Sequence, residues 1–539
     1  MNYIKWFIRH IGDVTAMVTG TIISHILLAG CAIGMIAVSK ELVDCVVERG
    51  GDGILSLAAA LVAIVLARVA LNAVRTFLQT RACVMMKNRL RKLAFEDVLM
   101  LRDDFRSRYH SGDLMNRMIE DAGSLANVVC LSVPNLIGAG LQFAGAFGYL
   151  MYLEPRLSFV LVALIPCGVV GGKYVLYKMR ELTMKVKKDD SNIQSHLQES
   201  IQNQTLIKTL EYEEHSFMKA DELQQDLYVD SMKRLKFTLA SRSVMNLTFS
   251  GSYALAFLWG VFGLLDGSVT YGMMTAFLQL VGQITRPLVE MSSDIPAILH
   301  STASIDRLLE IEQMPKEEDS EQEFMKGTAG IRVEDLKFAY GKNVVFNGFS
   351  HDFAPGSKTA IMGPTGVGKS TLIKLLLSLI SPEEGKIHIY DKDKETEVSA
   401  ASRCNLVYVP QGNSLFSGTI RENLLMGRPQ ASEQEMRQAL HTAAADFVWE
   451  LKDGLDTACF EKGGGLSEGQ AQRIAIARGL LRKGSILLMD EFSSALDSET
   501  EALLIQRLSE QMNGKTMIFI THREMITQYC DKILKLERK

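Results

Sequence analysis

The sequence predicts a multidomain membrane protein, an all-α six-helix transmembrane domain followed by an α/β domain, and three observations carry that prediction. Uncharged apolar stretches crowd the region between residues 14 and 285. A hydrophilic, acidic segment, EQMPKEEDSEQEFMKGTAG at 312–330, then changes the character of the chain as inter-domain linkers do. Beyond it, short β-rich runs (IRVEDLKFAY, KTAIMG, CNLVYVP, SILLMD, TMIFITH) alternate with longer helical patterns, the signature of a parallel sheet wrapped by helices. The expected boundaries are a membrane domain over 1–315, a linker over 316–330 and the α/β domain over 331–539.

The membrane elements follow in order. A helix needs ~20 apolar residues to span hydrocarbon, because no backbone group can be left unsatisfied there. Val14–Val38 carries no charge, and Ile54–Ala67 is strongly apolar before the pattern continues through Arg68 and Arg75. Val128–Leu153 and Leu157–Gly172 flank the turn EPR, and Ser243–Leu265 and Ser268–Thr285 flank DG, so each pair reads as a hairpin. The two long connections, 76–127 and 173–242, are polar and contain KNRLRK and KMRELTMKVKK. The positive-inside tendency puts them, the N-terminus and the α/β domain in the cytoplasm of a multi-pass cell-membrane protein. The stretch after MNYIKWFIRH is too long for a cleavable signal and is expected to stay as an anchor.

Composition narrows the chemistry. At 539 residues the chain exceeds one core. A net charge of −4 offers no strong positive field, which argues against nucleic acid as a partner. Hydrophobic residues at 47% and 26 methionines point to lipid. The eight cysteines show neither a CxxC pair nor a histidine at ligand spacing, so they read as reduced thiols rather than bridges or a metal site.

In the α/β domain, GPTGVGKST at 363–371 fits G-x-x-x-x-G-K-[ST] between the strand KTAIM and a helical run, the context the motif requires. Backbone N–H groups of Gly363, Pro364 to Thr365, Gly366, Val367 and Gly368 form a loop that wraps phosphates at a helix start, less the N–H that proline lacks. Lys369 is placed to reach the β- and γ-phosphates of ATP, Ser370 to ligate Mg²⁺, and Thr371 continues the helix. SILLMDE is an apolar strand ending in two carboxylates: Asp490 suits Mg²⁺, and Glu491 can polarise an attacking water. His522 also follows a strand, where it could meet the γ-phosphate; a lone histidine there is more often structural. Tyr340 at a strand end could stack on adenine or simply pack. A second anion-binding helix start, Ser467 with the amides near Gly469 in GGGLSEGQAQR, has a use only if it meets a γ-phosphate held by another copy. The chain is expected to work as a pair.

The ordered set Tyr340, GPTGVGKST, YVPQ, LSEGQ, ILLMDE, SALD and ITH resembles the ATP-binding domain of ABC transporters, and the six spans before it look like a type IV ABC exporter half-transporter. The resemblance implies an ABC ATPase of the α/β P-loop NTPase fold. It also implies an adenine-stacking Tyr340, a Gln411 that senses Mg²⁺ and the membrane domain, a catalytic Glu491, a carboxylate Asp497 in the D-loop, a switch His522 and an acid Glu461 that communicates with coupling helices. Two nucleotides would be sandwiched between two such domains, each held by one phosphate loop and the partner's Ser467, Gly469 and Gln470. Coupling helices are expected near 111–121 and 202–214. Two departures stand out: Glu468 replaces glycine in the signature LSEGQ, raising the chance of a heterodimer while a homodimer stays open, and Phe492 replaces a small residue after Glu491, which is expected to crowd the region before the D-loop. Asn246, Gln279, Gln283, Met273, Met274 and Phe277 are candidates to line a cavity for a hydrophobic drug, lipid or peptide, most of them with an ordinary packing role. The expected activity is ATP-driven export or flipping, the alternative a regulatory subunit that binds ATP and hydrolyses it weakly.

Overall fold

A computed structural model of the chain describes residues 12–48, 53–106, 109, 111–160, 172–317, 321–460, 465–512 and 514–537. The chain divides into two units, one comprising 1–95 and 112–312, the other 96–111 and 313–539.

The first unit is helical. Its long helices are Thr15–Glu48, Ile54–Met100, Val133–Leu153, Gly172–Gln202, Glu213–Leu265 and Tyr271–Gln313. Among the described residues four helical stretches are long and apolar enough to cross a membrane: Thr15–Val47, Ile54–Met100, Gly112–Leu153 and Glu213–Leu265. These contain the expected spans at 54–67, 128–153 and 243–265 and all but the first residue of the one at 14–38. Most of the expected span 157–172 lies outside the described residues. Ser268–Thr285 coincides with the first turns of the helix Tyr271–Gln313, which is not among the four. At 47 residues, Ile54–Met100 rises about 70 Å, over twice a ~30 Å hydrocarbon core, so much of it stands in water. Close helix approach uses small residues: a Cβ on Gly272 would lie 2.3 Å from the Lys40 carbonyl, and the Gly272 N–H donates to Asp44 Oδ1 at 2.7 Å. Buried Asp121 accepts from Ser304 at 2.8 Å and from Arg307 Nε at 2.6 Å, joining 112–153 to the last long helix. Of the cavity candidates, Phe277 is wholly buried in a core with Leu280 and Leu150, Met273 and Met274 pack against that core, and Gln283 bonds Gln142. Four of the six thus serve packing or interhelical bonding.

The second unit holds two main sheets. The strands are β1 Gly330–Tyr340, β2 Asn343–Phe353, β3 Lys358–Met362, β4 Glu384–Tyr390, β5 Glu395–Glu397, β6 Leu406–Val409, β7 Gly418–Thr419, β8 Ala458–Cys459, β9 Ile486–Asp490, β10 Thr516–Ile520 and β11 Lys532–Lys535. A parallel sheet runs β11-β3-β10-β9-β6, and β9 and β10 are buried throughout, as their unbroken apolar sequences require. The run IRVEDLKFAY does not join it. As β1 it pairs antiparallel with β2 and β4 in the sheet β2-β1-β4-β5. The cause is local: only Gly341 and Lys342 separate β1 from β2, enough for a hairpin and far too few for the crossover a parallel pair needs. Phe353, Ile387 and Ile389 of this sheet share a core with Leu372 and Leu376 of the helix Lys369–Leu376. A second core gathers Ile474, Ala475, Leu504 and Leu508 around the helix Glu468–Leu480.

Candidate functional site

The phosphate loop leaves β3 and enters the helix Lys369–Leu376 through Gly368. Gly368 has φ +105°, and a Cβ there would fall 2.5 Å from Val345 Cγ1, so only glycine lets the chain turn into the helix here. Lys369 is buried; its Nζ donates to the carbonyls of Gly363 at 2.7 Å and Pro364 at 3.2 Å, and lies 2.9 Å from His522 Nε2. Ser370 is exposed at the helix start and Thr371 half-buried behind it, while Pro364, Thr365 and Gly366 are exposed and Val367 is buried.

Three other parallel strands end in the expected residues. Gln411 follows β6, Asp490 closes β9 with Glu491 next, and His522 follows β10. They converge: Gln411 Nε2 donates to Glu491 Oε2 at 2.6 Å, and His522 Nε2 sits 3.5 Å from Glu491 Oε1. In open parallel sheets, ligands bind beyond the carboxyl ends of the strands, which is where these side chains stand. Glu491 itself has φ +43°, a left-handed conformation that costs a non-glycine residue about 1–3 kcal/mol and persists only where its surroundings hold it. Its N–H donates to Ile520 O at 3.0 Å.

Asp490 is buried. Burial, and then the charge of Glu491, push its carboxyl up to about 6 against the pull of Lys369. A divalent ion would relieve that environment. Ser370 hydroxyl, Gln411 amide oxygen and Asp490 carboxylate are hard oxygen donors of the kind Mg²⁺ takes, with the remainder supplied by water and phosphate. Among the described residues no trio of His, Cys, Asp and Glu comes together to cage a metal without such help.

The remaining expected residues stand apart from this cluster. Tyr340 ends β1, 48% exposed, with its ring edge-on to Phe338 at 4.9 Å. Ser467 caps the helix Glu468–Leu480: its hydroxyl accepts from Gln470 N at 3.2 Å, and Gln470 Oε1 accepts from Ser467 N at 2.9 Å. Gly469 lies against the 491–497 loop, where a Cβ would come 2.8 Å from Ala495 O. Among the described residues no hydrogen bond or ion pair joins 467–470 to 363–371. Asp497 caps the helix Ser498–Gln511, accepting from Thr500 N at 2.9 Å. Phe492 crowds nothing: it is wholly buried against Phe519, ring centroids 5.6 Å apart. Glu461 lies outside the described residues.

Sequence reasoning passed over two features. Gln472, wholly buried, donates to Glu491 O at 3.3 Å and accepts from Ala495 N at 3.4 Å. The one hint was an amide two residues before the apolar run IAIA, at 474–477. The other feature is the stretch 96–111, which belongs to the second unit: Asp103 pairs with Lys374 at 2.9 Å, and Arg102 donates to Ser381 Oγ at 2.9 Å. It lies immediately upstream of the expected coupling segment 111–121. The expected segment 202–214 contains the six-residue helix Gln204–Thr209 between two long helices.

Comparison with known proteins decides the family. The model of the ABC transporter transmembrane region matches residues 17–288, and that of the ABC transporter matches 346–494. The chain belongs to the ABC transporter family. The ABC transporter ATP-binding protein y4gM of Sinorhizobium fredii is 31% identical over 82% of this chain and 76% of its own length. The ATP-dependent lipid A-core flippase of Desulfotalea psychrophila is 28% identical over 79% of this chain and 76% of its own. Among solved structures, a bacterial Atm1-family ABC exporter with ATP bound superposes with a TM-score of 0.83 at 24% identity, covering 97% of this chain and 93% of that one, which shows the fold. This ABC transporter is thus a multi-pass membrane protein with a helical membrane domain followed by an α/β ABC ATPase domain that binds and hydrolyses ATP.

Proposed function

We propose that the chain is a half-transporter that dimerises with a second ABC half-transporter and exports or flips an amphipathic or hydrophobic substrate, a drug, lipid or peptide, by alternating access. In this reading residues 1–315 form the membrane domain, 316–330 the linker and 331–539 the nucleotide-binding domain, which lies with the N-terminus in the cytoplasm beneath the cell membrane. The lysine- and arginine-rich long connections support that orientation, and the flippase relative supports the substrate class.

The carrying observation is the meeting of Gln411, Glu491, His522 and Lys369 at the ends of β6, β9, β10 and β3. Glu491 takes the proton of the attacking water. Gln411 and His522 orient its two carboxylate oxygens, with His522 turned toward the γ-phosphate. Lys369 exchanges its loop carbonyls for β- and γ-phosphate oxygens, and Tyr340 offers its exposed ring to adenine. Ser370, Gln411 and Asp490 would hold Mg²⁺, which supplies charge neutralisation on the phosphates. Gly469 offers its backbone N–H to the nucleotide of the partner from the first turn of the capped helix, and Ser467 and Gln470 exchange the bonds of their cap for phosphate oxygens. ATP therefore favours the closed pair, and hydrolysis releases it.

A second reading, an ATP-binding regulatory or weakly hydrolysing subunit of a heterodimer, draws on Glu468, an exposed carboxylate in the first turn of the signature helix. Vanadate-sensitive ATPase activity of the purified chain in lipid separates the two. Turnover that collapses in Glu491→Gln supports the exporter; negligible turnover restored by Glu468→Gly supports the second reading; turnover indifferent to Glu491→Gln removes the assigned base.

A further inference from the structure

The loop 491–497 carries the catalytic carboxylate at one end and Asp497 at the other, and it is gripped from two sides. On one side Arg523, next to His522, donates to Ser494 O and Leu496 O at 3.3 Å and to Glu501 at 2.8 Å. On the other stands the signature helix. Gly469 lies against Ala495 O with no room for a side chain, and one turn later the amide of Gln472 bridges Glu491 O and Ala495 N at 3.3 and 3.4 Å. Gln472 is 0% exposed, so its amide has no water to fall back on, and the bridge answers both its polar atoms. The residue it holds is one that needs holding: Glu491 sits at φ +43°, where a non-glycine backbone stays only if its surroundings impose it.

We propose that Gln472 is a positioning residue for ATP hydrolysis, clamping the left-handed backbone of Glu491 and tying it to the signature helix of the same chain. The inference rests on the role proposed above for Glu491 and deepens it. Ser467 starts that helix five residues earlier. A helix is stiff over such a distance, so a displacement of residues 467–470 against the partner's nucleotide is delivered through Gln472 to this chain's own base. Each of the two nucleotides in the pair then reports its presence to the other through one buried amide.

The test uses the full chain in lipid. Gln472→Met keeps the volume and removes both hydrogen bonds; Gln472→Glu keeps the acceptor for Ala495 N and loses the donor to Glu491 O. A misplaced base costs rate far more than binding, so both variants are expected to lose roughly tenfold to a hundredfold in kcat. Their KM for ATP, and their affinity for a fluorescent ATP analogue, should stay within about threefold of the parent. Amide hydrogen exchange across 491–497 should quicken in Gln472→Met, most at Ala495. A merely structural glutamine would give the reverse pattern, parental kcat in Gln472→Met with unchanged exchange, and that result overturns the inference. Should the parent chain show no Glu491-dependent ATPase, the reading of the base fails, while the exchange measurement still decides whether Gln472 holds the loop.

Discussion

Gln411 donates its side-chain amide to Glu491 Oε2 across 2.6 Å, although 80 residues separate the two in sequence. The bond joins the loop after β6 to the loop after β9, and it occupies one of the two carboxylate oxygens of Glu491. A movement of the Gln411 loop therefore reorients the carboxylate proposed above as the base.

Removing that bond gives the first prediction. Gln411→Ala frees the Glu491 carboxylate to rotate, and loss of a hydrogen bond to a charged group is worth about 1.5–3 kcal/mol. Steady-state ATPase in lipid should fall roughly tenfold to a hundredfold, with the larger effect on kcat, because the phosphate contacts proposed for Lys369 and its loop are left unchanged. Wild-type kcat in this variant would show that the bond has no part in turnover.

Asp490 sets a pH dependence. Its folded pKa, about 6, lies above the ordinary carboxylate value because burial disfavours the ion and Glu491 repels it. A raised folded pKa contributes stability that is complete below the unfolded value near 4 and is lost as pH rises through about 6. Above pH 6 the ionised carboxylate thus weighs on the fold, by roughly 3 kcal/mol at about 1.4 kcal/mol per tenfold. With divalent ions and nucleotide removed by EDTA and dialysis, Asp490→Asn should raise the thermal midpoint at pH 7.5, keep about half of that advantage at pH 5 and lose most of it by pH 4. An equal gain at pH 7.5 and pH 4 would refute the titration as its source.

Phe492 departs from the small residue usual after such a glutamate, and the sequence alone suggests crowding. Its ring instead fills the core against Phe519 with no exposed surface. Phe492→Ala should therefore destabilise the chain by about 3–5 kcal/mol through the cavity it leaves. Thermal unfolding of the full chain in lipid reads this directly, and a stabilised Phe492→Ala would restore the crowding account.

The strands β3, β6, β9 and β10 were legible because burial on both faces of a parallel sheet demands continuous apolar runs, and their carboxyl ends marked the positions of the motifs they carry. The antiparallel placement of β1 was less so: the strand itself is plain in IRVEDLKFAY, but its partner is set by a two-residue turn rather than by its own pattern. Residues at strand ends could be assigned chemistry one at a time. Gln472 could not, because what it holds is the backbone of a residue 19 positions away, and backbone acceptors leave no trace in sequence. Asp103 and Lys374 form their pair across 271 positions, and each alone reads as an ordinary surface charge.

That last pair yields a prediction about coupling. Lys374 lies on the helix that begins at the phosphate loop, and Asp103 stands just beyond the end of the helix Ile54–Met100, one of the long apolar helices. Burial alone would raise the pKa of Asp103; Lys374 and Arg106 outweigh it and hold the carboxyl below its ordinary value, so the pair is intact at neutral pH. Lys374 is 40% exposed, which limits the pair to about 1 kcal/mol, or roughly fivefold in any equilibrium it biases. The Asp103 N–H also donates to Leu379 O at 3.2 Å, and that bond survives a side-chain change. Asp103→Lys should consequently leave ATP binding and basal hydrolysis within about threefold. It should weaken the response of the apolar helices, read as the change in Trp259 emission on ATP and vanadate trapping in a chain with Phe at positions 6 and 449. Reversing the partner as well, Asp103→Lys with Lys374→Asp, recreates the attraction and should recover most of that change. If the double variant responds no better than the single one, the charge pair is not what links this segment to the phosphate-loop helix.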